Sequence, residues 1–227
     1  MPSNTPAPIH ISVVLDRSGS MSGIADEVVG GFNEWLADQR KVEGDTTITL
    51  AQFDSEDPFE VLIDAVPLRE VTDFERSSFQ PRGATPLYDA IGRMISHADA
   101  GIARRLELAI DGEDQVMVII TDGLENDSRE QTRSTVFDLI EDRKKQGWVF
   151  VFIGANQDVY ETGADLSVPV GNSMSFEATG EGTEGLFARL SESTANYRTS
   201  SREERTSRSD RFFSTDDPTE EEGDRRG

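Results

Sequence analysis

Three continuous apolar runs constrain the fold of this chain more than any other feature of its sequence. They lie at residues 9–15, 116–120 and 148–153. Strands that are apolar on both faces belong to parallel sheets covered by helices on both sides, whereas half-exposed strands alternate apolar and polar residues. Segments with helical spacing of apolar residues, such as 24–42 and 134–146, separate these runs. The pattern predicts an α/β fold: a doubly wound, mostly parallel central sheet with helices on both faces.

Two segments early in the chain predict strands of a different kind. Residues 46–53 and 59–66 alternate apolar and polar side chains, and the turn-forming residues 54–58 lie between them. We therefore expect a hairpin whose outer strand is an antiparallel edge strand of the sheet. The remaining periodic segments predict a helix that starts at Pro86, helices at 156–166 and 183–197, and a short strand at 173–178.

Composition divides the chain into three parts. Residues 1–8 are expected to form a flexible lead-in, and residues 9–198 hold the periodic apolar segments of one domain. Residues 199–227 are rich in Ser, Arg and acidic side chains, and a segment this polar cannot bury enough apolar surface to offset its ordering entropy. We therefore predict a disordered tail. Its adjacent Phe212 and Phe213 allow two interpretations: a docking motif, or a pair that is solvated or tucked against the domain edge.

The overall charge limits the classes of partner. The 44 acidic and 22 basic residues give a net charge of −22, which argues against unaided binding to nucleic acid or to an anionic membrane. The absence of cysteine excludes a disulfide framework, a cysteine-ligated zinc site and a thiol nucleophile. No apolar stretch approaches the roughly 18 residues of a membrane span, and the first residues lack a signal region. We expect a cytoplasmic protein.

Hydroxyl and carboxylate side chains stand at the ends of separate segments. Asp16, Ser18 and Ser20 follow the first apolar run, Thr85 lies just before a proline, and Asp122 ends the second apolar run. Ligands of doubly wound sheets collect at the carboxyl ends of the strands, so we expect these segments to meet on one rim. All of these side chains are hard oxygen donors, which suits Mg²⁺ or Mn²⁺ better than zinc or copper.

The spacing Asp16-x-Ser18-x-Ser20, followed by Thr85 and by Asp122-Gly123, resembles the metal-ion-dependent adhesion site (MIDAS) of von Willebrand factor A (VWA) domains. The resemblance covers residues 9–198 and includes shorter segments that look like those of stand-alone bacterial, archaeal or phage members: 30–33, 52–54, 120–126 and 154–158. It implies a Rossmann-like VWA fold and a metal-dependent protein-binding module. It also implies that the three hydroxyls are metal ligands, and that the two carboxylates bind the metal directly or through water.

The charge of this set favours an acidic partner. Two carboxylates balance one divalent cation, and neutral hydroxyls leave Mg²⁺ or Mn²⁺ able to accept one more carboxylate. The resemblance implies that an Asp or Glu of a protein partner supplies it; similar domains often pair with AAA-type ATPases, which makes an adaptor subunit a further hypothesis. Arg17 is expected to steer the acidic ligand, and Asn156 and Gln157 either line the ligand face or cap a helix. The structural alternative is that Ser20 or Ser22 caps the first helix.

The main alternative function is a Mg²⁺-dependent phosphohydrolase that uses Asp16. Such enzymes normally carry a second Asp two residues later, where this chain has Ser18, and a lysine near a strand end, whereas the three lysines here fall at helix ends. The two histidines, His10 and His97, are expected to be structural. Metal-assisted hydrolysis also needs a general base. Glu125 is the one candidate, and a solvated loop charge is the preferred interpretation of that residue. We predict that the chain is not an enzyme.

Overall fold

The structure, a computed structural model, describes residues 7–155 and 159–213. Six strands form one sheet in the order β3-β2-β1-β4-β5-β6. Strand β3 runs antiparallel to β2, and the other four pairings are parallel. The predicted mostly parallel sheet with one antiparallel edge strand is therefore confirmed. The strands are β1 (Ile9–Asp16), β2 (Thr46–Phe53), β3 (Glu60–Pro67), β4 (Asp114–Thr121), β5 (Val149–Ala155) and β6 (Ser173–Phe176).

Helices cover both faces of the sheet and divide the apolar interior into two cores. Along β4, Val118 and Ile120 face the core formed with α1 and α5, whereas Met117 and Ile119 face the core formed with α2 and α3. This alternation explains why the central strands are apolar throughout. The helices are α1 (Ala25–Gln39), α2 (Leu87–Glu107), α3 (Arg133–Lys144), α4 (Val159–Asp165), α5 (Gly180–Thr199) and α6 (Arg202–Ser207).

The start of the first predicted helix is a separate element. Residues Gly19–Ile24 form a 3-10 helix, and the α-helix begins only at Ala25. Neither Ser20 nor Ser22 caps α1, because Ile24 is its N-cap and makes no side-chain capping bond. The predicted positions of Asn156 and Gln157 lie outside the described residues.

The chain beyond residue 198 is packed as far as residue 213, which corrects the predicted start of a disordered tail. Helix α6 begins with a capping box made by Ser201 and Glu204. Phe212 is 6% exposed, and both it and Phe213 belong to the core on the α1 and α5 face. The backbone N–H of Phe213 donates to the Gly171 carbonyl at 3.0 Å. Two buried aromatic rings thus offset the ordering entropy that the polar composition alone does not.

None of the described helices has the length and apolar character that crossing a membrane requires.

Candidate metal centre

The sheet topology places the first and third predicted segments side by side. Strands β1 and β4 are parallel neighbours, with Leu15 opposite Ile120. Asp16 therefore ends β1 at the same rim at which Asp122 follows β4. Thr85 lies two residues before α2 and is buried. The parallel pairing of β1 and β4 therefore brings Asp16 and Asp122 to one rim, as predicted.

Direct hydrogen bonds connect four of the five predicted residues. The Ser20 hydroxyl donates to Asp122 Oδ1 at 2.5 Å and lies 3.0 Å from the Ser18 hydroxyl. The Ser18 backbone N–H donates to Asp16 Oδ1 at 2.7 Å. The other Asp16 oxygen, Oδ2, accepts from the Thr121 hydroxyl at 2.6 Å. Thr121 thus orients the Asp16 carboxylate, a role that the sequence interpretation missed because a threonine ending a buried strand is unremarkable.

The space beside Gly123 shows that the fifth residue, Thr85, joins the same cluster. A methyl group placed on Gly123 would lie 3.3 Å from Thr85 Oγ1, 3.5 Å from Ser20 Oγ and 4.0 Å from Asp16 Oδ2. Oxygens from two separate segments, residues 16–20 and Thr85, therefore lie around one small volume beside Gly123, which is on the third segment. We refer to Asp16, Ser18, Ser20, Thr85 and Asp122 as the oxygen cluster.

Burial makes it costly to keep the two carboxylates of the oxygen cluster ionised. Burial raises the pKa of Asp16 to about 6, with a smaller contribution from the negative charge of Asp122 and opposition from the hydrogen bonds of Thr121 and Ser18. Burial likewise raises the pKa of Asp122. Two desolvated carboxylates at one rim favour a cation that compensates their charge. The donor set, two carboxylates and three hydroxyls, fits a hard divalent cation.

The Arg17 guanidinium is buried and paired with the carboxylates of Asp54 and Glu60, which corrects its predicted role in steering. The Arg17 side chain is 5% exposed, its Nε donates to Asp54 Oδ2 at 2.6 Å, and its Nη1 donates to Glu60 Oε2 at 2.5 Å. Asp54 also accepts from the backbone N–H groups of Glu56 and Asp57 at 2.7 and 2.9 Å. Arg17 therefore fastens the loop after β1 to the β2–β3 edge, because its charge is already paired.

Glu125 is a structural residue and not the solvated charge that the sequence suggested. Its carboxylate accepts from the backbone N–H groups of Tyr88, Asp127 and Ser128 at 3.0, 3.0 and 2.7 Å, and from the Ser128 hydroxyl at 2.7 Å. These bonds hold the loop after β4 against the first turn of α2. A carboxylate that accepts four hydrogen bonds is poorly placed to act as a general base.

The two histidines lie away from the oxygen cluster. His10 Nδ1 bonds the Thr47 hydroxyl at 2.7 Å, near the start of β1 and β2. His97 Nε2 bonds Asp64 at 2.8 Å, on α2 and the edge strand β3. Both therefore take part in side-chain pairs that connect elements of the fold.

The fold matches solved VWA structures. The VWA domain of SpRpn10 has a TM-score of 0.52 and 14% identity, with 80% of this chain and 94% of that chain covered. Proximal thread matrix protein 1 from the mussel byssus has a TM-score of 0.61 and 14% identity, with 84% of this chain and 47% of that chain covered. Manganese-loaded TRAP from Plasmodium vivax has a TM-score of 0.50 and 15% identity, with 81% and 72% covered. This chain thus spans less than half of the mussel protein.

Likeness at these identities shows the fold alone. Another structure of the mussel protein carries zinc in its MIDAS motif. No family model matches the present sequence. A search of curated proteins also finds no match.

Proposed function

We propose that this chain, which has the fold of a VWA domain, binds one divalent cation in its oxygen cluster and, through that cation, a carboxylate of a protein partner. The observation that carries the proposal is the convergence of Thr85 Oγ1, Ser20 Oγ and Asp16 Oδ2 around the space beside Gly123. These atoms come from two separate segments, residues 16–20 and Thr85, and Gly123 lies on the third, directly after Asp122. Hydroxyl and carboxylate oxygens are the ligands that a hard divalent cation prefers.

Two carboxylates and three hydroxyls favour Mg²⁺ or Mn²⁺ over softer metals. Asp16 and Asp122 supply the negative charge, and Ser18, Ser20 and Thr85 supply neutral oxygens. When bound, the cation would act as an electrophile toward one further carboxylate. Ser20 is exposed whereas Asp16 and Thr85 are buried, so the open side of the cluster faces solvent where a partner can approach.

The arrangement around Asp16 supports binding rather than hydrolysis. Asp16 is fully buried, and its two oxygens accept from the Ser18 N–H and the Thr121 hydroxyl. Each Asp16 oxygen keeps a second lone pair that a small cation can reach, whereas a nucleophile needs room for a substrate beside it. A general base needs a free lone pair, and Glu125 is occupied by four donors. These contacts favour a binding module over a phosphohydrolase. An AAA-type ATPase as the partner stays a prediction, because no contact in the structure bears on it.

Neighbouring serines provide a matched test of cation binding. Ser20 and Ser22 are both exposed in the same 3-10 helix, but Ser20 bonds Asp122 whereas Ser22 bonds the Gly19 carbonyl. Calorimetric titration with Mg²⁺ or Mn²⁺ should show affinity reduced by about tenfold or more in Ser20→Ala, a loss of about 1.4 kcal/mol, and unchanged affinity in Ser22→Ala. Equal affinities in the two variants would remove Ser20 from the site.

Binding of a partner carboxylate to the metal is tested in a separate experiment. Water-proton relaxation of the Mn²⁺-loaded protein reports the waters that remain on the metal. Titration with a glutamate-containing peptide should lower the relaxation enhancement as the carboxylate replaces a water, and a matched glutamine peptide should not. The same response to both peptides would contradict carboxylate binding at the metal.

A further inference from the structure

A second surface of this molecule lies at the end of the sheet opposite the oxygen cluster. Strand β4 runs from Asp114 to Thr121, so a groove beside Asp114 and Gln115 lies at the start of the strand whose other end carries Asp122. The groove has a volume of about 700 Å³. It is formed by the end of α2 and the turn after it, the end of α3, and α6, and we call it the basal groove.

Exposed apolar side chains concentrate at the basal groove. Leu106 is 79% exposed, and Ile102 and Ile110 are also exposed; all three line the groove. Ile102 and Leu106 are four residues apart on α2 and therefore lie on one face of that helix. With the nearby exposed Leu108, they make up half of the eight exposed large apolar side chains among the described residues. Single exposed apolar residues are ordinary, whereas a cluster marks an interaction surface.

The charge of the basal groove is opposite to that of the protein as a whole. Five basic and two acidic side chains line it, although the chain carries a net charge of −22. The basic side chains include two of the three lysines of the chain. The residues are Arg105, Lys144, Lys145, Arg202 and Arg205, with Glu113 and Asp114.

The two acidic side chains of the groove are already neutralised. Asp114 pairs with Arg202 at 2.8 Å and with Arg205 at 2.9 Å, and Glu113 pairs with Arg105 at 3.2 Å. Lys145 is 69% exposed and directly follows α3, and its partner Asp142 is an exposed residue three positions earlier, in the last turn of that helix. Such exposed pairs contribute little free energy. Lys145 can therefore exchange Asp142 for an incoming carboxylate at small cost.

We propose that the basal groove binds a peptide segment of a partner protein that carries apolar side chains at helical spacing and acidic side chains around them. Its apolar side chains would pack on the stripe formed by Ile102, Leu106 and Ile110. Its carboxylates would meet Lys145 and Arg202 at the groove mouth, where complementary charge sets orientation and association rate. The net charge of −22 disfavours a second copy of this chain as the occupant, because two such chains repel each other. The same charge disfavours nucleic acid.

The experiment measures fluorescence anisotropy of labelled synthetic peptides that repeat leucine at helical spacing and carry glutamate elsewhere. A matched set carries lysine in place of glutamate. All titrations contain EDTA, so that the result does not depend on the oxygen cluster. We expect glutamate peptides to bind, and lysine peptides to bind at least about tenfold more weakly.

Variants with matched controls locate the binding. Leu106→Gln and Lys145→Glu should each weaken binding by about tenfold or more. Leu124→Gln is the apolar control, because Leu124 is 61% exposed but lies beside the oxygen cluster. Lys41→Glu is the charge control, because Lys41 is 74% exposed, lies just after α1 and pairs with Asp38 three residues earlier. Neither control should change the affinity.

Several results would overturn the proposal. They are the absence of binding by every glutamate peptide up to about 1 mM, equal binding of the lysine set, and equal affinity of the wild type and Leu106→Gln. Sedimentation that shows dimers of the wild type and monomers of Leu106→Gln would assign the groove to a second copy instead. Loss of Mn²⁺ binding by the oxygen cluster would leave the proposal unaffected, since the peptides are measured in EDTA.

Discussion

Asn126 holds Thr85 at two points. The Asn126 side-chain oxygen accepts from the Thr85 backbone N–H at 2.8 Å, and the Asn126 backbone N–H donates to the Thr85 carbonyl at 3.1 Å. The loop after β4, which also carries Asp122, therefore fixes the position of Thr85 relative to Asp122. Sequence alone does not show this contact, because the two residues are 41 positions apart.

Replacement of Asn126 should weaken cation binding without removing a ligand. Asn126→Ala deletes one hydrogen bond to Thr85, which is worth about 1 kcal/mol, so we expect the Mn²⁺ affinity to fall by about fivefold. Asp127→Ala is the control, because the Asp127 side chain pairs with the exposed Arg129 in the same loop. Titration calorimetry measures both variants, and equal affinities would show that the clamp on Thr85 is not needed.

A side chain added at Gly123 tests whether the cation binds beside this residue. In Gly123→Ala, the added methyl group lies 3.3 Å from Thr85 Oγ1 and 3.5 Å from Ser20 Oγ, so it competes with the cation for the volume that these oxygens surround. We expect the Mn²⁺ affinity to fall by about tenfold or more. Gly23→Ala is the control, because nothing lies within 4 Å of a methyl group at that position. Full affinity in Gly123→Ala would place the cation elsewhere.

His10 should make stability depend on pH. Burial lowers the pKa of His10 to about 4 from an ordinary 6.5, and repulsion from His97 and Arg105 adds to this. The unfolded chain therefore binds this proton at a higher pH than the folded chain does. The stabilisation is complete above about pH 6.5 and is lost as the pH falls to about 4, a change of about 3 kcal/mol in the free energy of unfolding.

Urea unfolding of wild type and His10→Asn at several pH values measures this contribution. The difference between the two proteins cancels the raised pKa of Asp16, which both share and which acts in the opposite direction. We expect the wild type to lose about 3 kcal/mol relative to His10→Asn over this range. His97→Asn should largely retain the wild-type slope, and parallel curves for wild type and His10→Asn would contradict the assignment.

The C-terminal aromatic pair should contribute to global stability. Phe212 is 6% exposed, and its ring centroid lies 5.8 Å from that of Tyr197. Phe212→Ala should lower the free energy of unfolding by about 3 to 5 kcal/mol. Phe137→Ala, at an exposed position on α3, should change it by only about 0.5 kcal/mol. An equally small effect of Phe212→Ala would contradict packing of residues 199–213 and would support the disordered tail predicted from the sequence.

The fold was predictable because the apolar runs are long and continuous, and the rim position of Asp16 and Asp122 follows from parallel strands. Partners distant in sequence were not predictable. Arg17 looks like a free cation until the structure shows Asp54 and Glu60, which are 37 and 43 residues away. Glu125 looks solvated because its donors are mainly backbone N–H groups, which leave no signal in the side-chain pattern.

The central claim is that the oxygen cluster holds a divalent cation, and Mn²⁺ titration followed by electron paramagnetic resonance tests it most directly. We predict one tightly bound Mn²⁺ per chain in the wild type, loss of that binding in Asp122→Asn, and its retention in Asp127→Asn on the same loop. The two substitutions remove the same charge and differ only in whether the residue belongs to the oxygen cluster. Wild-type Mn²⁺ binding in Asp122→Asn, or no bound Mn²⁺ in the wild type, would contradict the account.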